Sequence, residues 1–566
     1  MSNKMLINEK YIQVTCERGD TETAELLSSF YPVHKNRINT QFVVSGRKVP
    51  EVLKALRGID ETNIDTAPRR IQELYHLELR RRSVLHDLRV NGPKENPVVS
   101  ERLTLRTHQQ LGREIAQVFD RFCFFFDTRT GKTPLALSII NDDLKVNPHH
   151  KWLIICPLIL IENAWIEDCN KFFPNIKIVN CHSTTKEKRL EAMQRRGNVY
   201  VTNTESFATY KPYYDKMNFV GGFLDESSSM KRHNSKQTEA LVDFSQQLKR
   251  WYLLSGTPAT NGEFEYFAQI RSVDYYAMPQ SYTQFKNYYF LNISHNPKFD
   301  KLVLRPDRSE EFNELLSEYA LYVDKEDVLT TPGRTFHEVE FDLPKELKVH
   351  YKLMKDELCA EISDDIVVTA PSAAAKLNKL NQITSGFIMD TDAVKENRKF
   401  GTNKETVHLL SNYRFELLYD WLRKLSDEQI IVWCNYKKEF EIIKEHLGST
   451  CRCIYGDVTL AEKNEAIKLF KSGKVQYLIA NPASADKGLT LTNSHINIYF
   501  SLNWSYETFK QSYERIYGDV SSQPKHCDYY IFIAKGTIDG ILYRDVLQGK
   551  QEASYAVLNH LKAGEI

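Results

Sequence analysis

Phe124-Phe125-Phe126-Asp127-Thr128-Arg129-Thr130-Gly131-Lys132-Thr133 is the stretch on which the fold turns. A run of aromatics breaks off into a short polar loop, and the loop ends in Gly-Lys-Thr ahead of the apolar residues 134–140. A phosphate-binding loop is built this way: a buried strand, a loop with exposed amides, and a helix whose first turn faces the phosphates. Lys132 adds positive charge, and the hydroxyl of Thr133 is suited to reach Mg²⁺. Thr128, Arg129, Thr130 and Gly131 form the cradle. Phe126 stands where the general pattern has its first glycine, so the match is incomplete.

Working outward, short apolar runs alternate with helical patterns. The runs are 122–126, 152–156, 199–202, 222–224 and 252–254, followed later by 430–434, 451–455, 477–480, 496–500 and 529–533. Continuous apolar runs ending in small or polar residues read as buried parallel strands with functional loops at their carboxyl ends. The expected fold is α/β: two RecA-like parallel-sheet lobes, a helical insertion between them, and a small N-terminal α+β domain. Expected boundaries are 1–65 for the small domain, 66–100 for a helical linker, 101–265 for the first lobe, 266–400 for the insertion and linker, and 401–566 for the second lobe. In the small domain, residues 6–16 read as one strand, 22–30 as a helix, 39–44 as a second strand and 49–56 as a second helix. Residues 68–87 read as a charged helix ending near Asn91-Gly92-Pro93.

Asp225 and Glu226 directly follow the apolar run 222–224. Phosphoryl transfer to water needs one carboxylate that holds Mg²⁺ and one that activates the attacking water. Asp225 fits the first role, through a bridging water, and Glu226 the second.

The bulk numbers exclude several classes. In 566 residues, 42% are hydrophobic and 26% charged, ordinary for a globular protein, and the formal net charge is +1. That balance argues against a purely electrostatic, histone-like binder. The ten cysteines are scattered without zinc-site spacing. No apolar leader and no run of about 18 apolar residues is visible, so the expected setting is cytoplasmic, the host cytoplasm if the source is viral. No membrane is expected as a partner.

The order of further motifs resembles the Swi/Snf-like branch of superfamily 2 helicases and translocases, in the short form common in phages and bacteria. Leu105-Arg106-Thr107-His108-Gln109 is similar to the leading segment, which implies that Gln109 reads adenine. Residues 124–133 are similar to motif I. Cys156-Pro157 with Trp165 and Glu167 resembles motif Ia, and Thr202-Asn203-Thr204-Glu205 the strand-end motif after it. Asp225-Glu226-Ser227-Ser228 with Lys231 looks like motif II, and Ser255-Gly256-Thr257-Pro258 with Asn261 like motif III. In the second lobe, residues 430–435 resemble motif IV, Tyr455-Gly456-Asp457 a Gly-bearing turn, and residues 486–491 motif V. Asn503-Trp504 and residues 511–515 lead into motif VI, and Lys535-Gly536-Thr537-Ile538-Asp539 is similar to the closing signature.

The resemblance implies ATP and Mg²⁺ as cofactors, with Lys132, Asp225, Glu226 and Arg515 in catalysis and Gly488 also near the nucleotide. It implies DNA contacts, to the backbone and without sequence readout, from Pro157, Thr202, Asn203, Thr257, Asn261, Lys487, Thr490 and Trp504. The expected activity is an ATP-dependent DNA translocase that remodels branched or fork DNA by annealing, fork regression or branch migration, in repair, recombination or replication. Protein partners are unknown. Residues 6–56 loosely resemble the HARP-type domain of DNA-annealing translocases, with basic patches at His34-Lys35-Asn36-Arg37 and Arg47-Lys48.

Two departures stand out. The family's second motif VI arginine falls on Gly518, which opens an alternative: an ATP-gated DNA-binding protein with a weakened motor. Ser228 stands where His or Gln is common. An RNA helicase or a restriction-type motor subunit is a further alternative, although no nuclease constellation is visible.

Overall fold

In the computed structural model, residues 4–16, 40–293, 302–357, 359–363, 366–369, 373–390, 406–484 and 490–548 are described. The chain divides into two units, one ending at Val328 and the next beginning at Leu329. Each is built on a parallel sheet, as expected.

In the first unit seven strands lie in the order Ala320–Val323, Arg121–Phe126, Arg250–Leu254, Gly221–Asp225, Trp152–Cys156, Val199–Asn203, Ile178–Asn180. All neighbours run parallel. Trp152–Cys156, Val199–Asn203 and Gly221–Asp225 are buried along their whole length, which explains why they show no polar alternation. Gly221 makes room for an indole: a Cβ there would stand 2.5 Å from the Trp152 ring.

The second unit has six parallel strands in the order Arg334–Phe341, Cys527–Ala534, Ile496–Tyr499, Ile430–Trp433, Tyr477–Ala480, Cys451–Ile454. Its core includes Phe415, Leu418, Val432, Ile479, Ile498 and Phe532. A buried ion pair ties the closing signature to this core. Arg414 Nη1 donates to Asp539 Oδ2 at 2.8 Å, with Arg414 1% and Asp539 3% exposed. Asp539 also accepts from Thr384 Oγ1 and the Ala534 amide.

The stretch expected as a helical insertion, 266–400, is shared between the two units. Strand Ala320–Val323 forms an edge of the first sheet and Arg334–Phe341 an edge of the second. The aromatic residues near 285 are core: Phe285 and Tyr289 pack on Phe312 and Phe290.

At the front, residues 6–16 form two strands, Lys4–Ile7 and Tyr11–Cys16, where the sequence suggests one. Asn8 makes the difference. Its side-chain carbonyl accepts the amides of Lys10 and Tyr11, an Asx turn that reverses the chain. Tyr11–Cys16 then pairs antiparallel with Thr40–Ser45. Helix Val49–Arg57 follows, and the charged segment forms helix Arg69–Asn91. The expected helix at 22–30 and the patch at residues 34–37 lie outside the described residues.

Arg47 and Lys48, expected as a basic patch, are turned inward onto the first unit. The Arg47 guanidinium donates to the carbonyls of Glu318 and Arg121 at 2.7 and 2.9 Å and lies over the Tyr319 ring. Lys48 pairs with Glu318 at 2.9 Å. Arg121 opens the strand whose other end carries the loop at 127–131, so the small domain docks at the opposite end of the strands from that loop. Arg82 is likewise used internally, bonding Glu51 at 2.6 Å and also reaching Glu78. Among the described residues no helix is long and apolar enough to cross a membrane.

Candidate nucleotide site

The loop at 127–131 joins strand Arg121–Phe126 to helix Lys132–Val146. Its entry is fixed by the edge strand, since the Asp127 amide donates to Val323 O at 2.9 Å. The Asp127 carboxylate then accepts the Thr128 amide, and Thr130 Oγ1 donates back to Asp127 O. Arg129 has φ 64° and Gly131 φ 85°, both left-handed. For Gly131 a side chain is doubly excluded, because a Cβ would also stand 1.8 Å from Gln109 Nε2. Lys132 Nζ folds over the loop, donating to the carbonyls of Phe126 and Asp127 at 2.9 and 3.3 Å. Thr133 is half-buried in the first helical turn.

Gln109 is spent on the loop. Its amide nitrogen donates to Thr130 O and Gly131 O, and its carbonyl accepts the Arg106 amide. His108 Nε2 also meets Thr130 O, at 2.7 Å. The leading segment therefore braces the phosphate loop from behind.

Asp225 and Glu226 end a strand one position removed from the phosphate-loop strand, with Arg250–Leu254 between them. Asp225 is 4% exposed, and burial, with Glu226 beside it, pushes its carboxyl up to about 6, while Lys132 pulls the other way. Trp165 Nε1 donates to Asp225 Oδ2 at 3.1 Å and aims the carboxylate. Glu226 adopts φ 55° and is 7% exposed, and its Oε2 is buried without a hydrogen-bond partner. A buried carboxylate oxygen in that condition costs free energy unless a water, an ion or a ligand comes to it. This is the feature that best fits Mg²⁺ and an attacking water.

One residue absent from every motif links these loops. Gln269, fully buried, accepts Ser227 Oγ at 2.6 Å and donates to Pro258 O at 2.7 Å. The turn after the acids and the Ser-Gly-Thr-Pro turn thus share one carboxamide. Gly256 of that turn lies against the loop, with a Cβ placed 3.2 Å from Thr128 N. Asn261 is held by Glu265, through Nδ2 to Oε1 at 2.6 Å.

The residues expected to touch DNA differ in access. Asn261 and Thr490 are exposed, and Pro157 and Trp504 half-buried. Thr202 is fully buried, Asn203 is 5% and Thr257 7% exposed. Asn203 Oδ1 accepts from Arg189 and Ser206, and its amide donates to Glu205. Thr202 and Asn203 are placed to shape the strand end from within. Lys487 and Gly488 lie outside the described residues.

In the second unit Arg515 is 5% exposed, and its carbonyl accepts the Leu491 amide, joining motifs V and VI. Gly518 is buried. Residues 330–334 run along this segment: Val520 N donates to Thr330 O and Tyr517 Oη to Thr331 Oγ1, both at 2.8 Å. Arg334 lies 4.6 Å over the Tyr517 ring and pairs with Glu514 at 3.4 Å. An arginine distant in sequence thus packs against Tyr517, the chain neighbour of Gly518.

Residues 58–389 match the SNF2-related domain and residues 413–517 the helicase conserved C-terminal domain. The first match covers more than half of the chain, which belongs to the SNF2-related family and is thereby an enzyme, a DNA-dependent ATPase of the superfamily 2 helicase class. It is 24% identical over 427 residues to a putative protein, p41, of Acyrthosiphon pisum secondary endosymbiont phage 1, covering 73% of this chain and 89% of that one. It is also 24% identical over 429 residues to the human DNA annealing helicase and endonuclease ZRANB3, covering 72% of this chain but 36% of the human protein. The Sulfolobus solfataricus SWI2/SNF2 ATPase core in complex with dsDNA aligns with a TM-score of 0.37 at 19% identity, over 82% of this chain and 96% of that one.

Proposed function

We propose that the protein hydrolyses ATP with Mg²⁺ and uses the cycle to move along duplex DNA and remodel branched or forked substrates. The carrying observation is the buried, unpartnered Glu226 oxygen beside Asp225 and Lys132 at the phosphate loop. In this reading Lys132 and the loop amides would hold the phosphates, and Thr133 and Asp225 would hold Mg²⁺ through water. Glu226 activates the attacking water, and Gln109 keeps the loop in register next to the adenine. When bound there, Mg²⁺ would supply charge neutralisation on the transferring phosphoryl group. Gln269 passes the state of the acids to the Ser-Gly-Thr-Pro turn. Asn261, Thr490 and Trp504 are the accessible DNA contacts. The likeness to a DNA annealing helicase supports DNA as the substrate, and we take forked DNA as its preferred form. The experiment is a comparison of ATPase stimulation by forks, linear duplex, single strands and RNA: forks should stimulate most, and strongest stimulation by RNA would overturn the substrate class.

Gly518 favours a second reading, a weakened motor, and Arg334 weighs against it. If Arg334 stands in for the absent arginine, Arg334→Ala lowers kcat strongly, and Gly518→Arg helps that variant more than it helps the wild type. A gain of about 10³-fold from Gly518→Arg in the wild type, the worth of a missing arginine finger, would instead establish the weakened motor.

A further inference from the structure

Lys325 opens the short helix Lys325–Val328, immediately before the boundary between the units. Its side chain is 0% exposed, although it is a lysine. A buried ammonium is costly and persists only where partners hold it. Its Nζ donates to Thr128 Oγ1 of the phosphate loop at 3.1 Å. Two residues earlier, Val323 O accepts the Asp127 amide, so one short segment grips the loop twice. Thr128 is also where Gly256 of the Ser-Gly-Thr-Pro turn makes its closest approach. Three separate segments therefore meet at one threonine.

We infer that Lys325 is a positioning residue of the phosphate loop: its ammonium fixes Thr128, sets the loop in the form that receives an anionic phosphate chain, and adds a second positive charge behind Lys132. This rests on the nucleotide reading of the loop and goes beyond it, since no loop motif contains residue 325. Lys132 is half-buried and lies over the loop's own carbonyls, whereas Lys325 is enclosed and acts through the threonine.

The test is binding of a fluorescent ATP analogue, mant-ATP, to the full chain carrying Lys325→Met, Thr128→Val or both. Methionine fills most of the lysine's volume without its charge, and the melting temperature of each variant is read beside its affinity. Losing a charge-assisted hydrogen bond should weaken binding about tenfold or more in each single variant. The double variant should be little worse than either single one, because both remove the same bond. Lys325→Arg should recover part of the affinity. Wild-type affinity in Lys325→Met, or losses that simply add, would overturn the inference. So would a fall in melting temperature that accounts for the lost binding. Failure of the wild type to bind mant-ATP would sink the nucleotide reading itself, which separates the two failures.

Discussion

Glu226→Gln should lower the kcat for ATP hydrolysis by about 10²–10⁴-fold while leaving nucleotide affinity close to wild type. The size follows from the role. A positioned base contributes to the transition state, and an amide of the same shape cannot take up the proton. The selectivity follows from the geometry. Glutamine keeps the volume and the left-handed turn at φ 55°, so Lys132, Asp225 and the loop stay in place. The buried Oε2 is the atom that changes character. Asp225 does not substitute, because in this reading it is committed to Mg²⁺, and Trp165 and the Glu226 amide fix its orientation. Single-turnover hydrolysis beside an equilibrium binding measurement separates the two effects. Unchanged kcat would remove Glu226 from the mechanism, and loss of binding in parallel with rate would make its role structural.

Asp539→Ala should be the most damaging single change to stability, costing about 3–5 kcal/mol. It leaves the Arg414 guanidinium buried and unpaired, and it also strips partners from Thr384 and the Ala534 amide. Arg414 still donates to Phe532 O and Thr384 O, which softens the loss without neutralising the charge. Replacing both members of the pair with apolar residues should recover much of the stability, since the penalty belongs to the orphaned charge. Chemical denaturation of the full chain, followed by a probe in the second unit, measures it. Mant-ATP binding at the phosphate loop should survive in the variant, because the loop lies in the other unit. A loss under about 1 kcal/mol would mean that the pair is not what anchors the closing signature.

The closing signature also shows what can be read from sequence. Residues 535–539 look like a family signature, yet the meaning of Asp539 is its contact with Arg414, 125 residues earlier. The strands were legible because continuous apolar runs have few other readings, and the Gly-Lys-Thr and Asp-Glu pairs because their chemistry is local. Asn8 is legible in principle as a turn residue, but the apolar alternation continues across it and masks the turn. Arg47 and Lys48 look like a DNA patch because charge is visible in a sequence and its partners are not. Gln269, Lys325 and Arg334 carry no motif at all. Each matters through contacts to other segments of the chain, and only the packed fold brings those contacts together.

In the proposed function, the loop at 127–131 and the acids at 225–226 form an ATPase site that answers to DNA. ATP hydrolysis by the wild type and by Lys132→Ala, with and without duplex DNA, tests it most directly. The wild type should hydrolyse ATP faster when duplex DNA is added, and Lys132→Ala should show neither basal nor stimulated hydrolysis. A wild-type rate indifferent to DNA, or stimulated hydrolysis that survives Lys132→Ala, would contradict it.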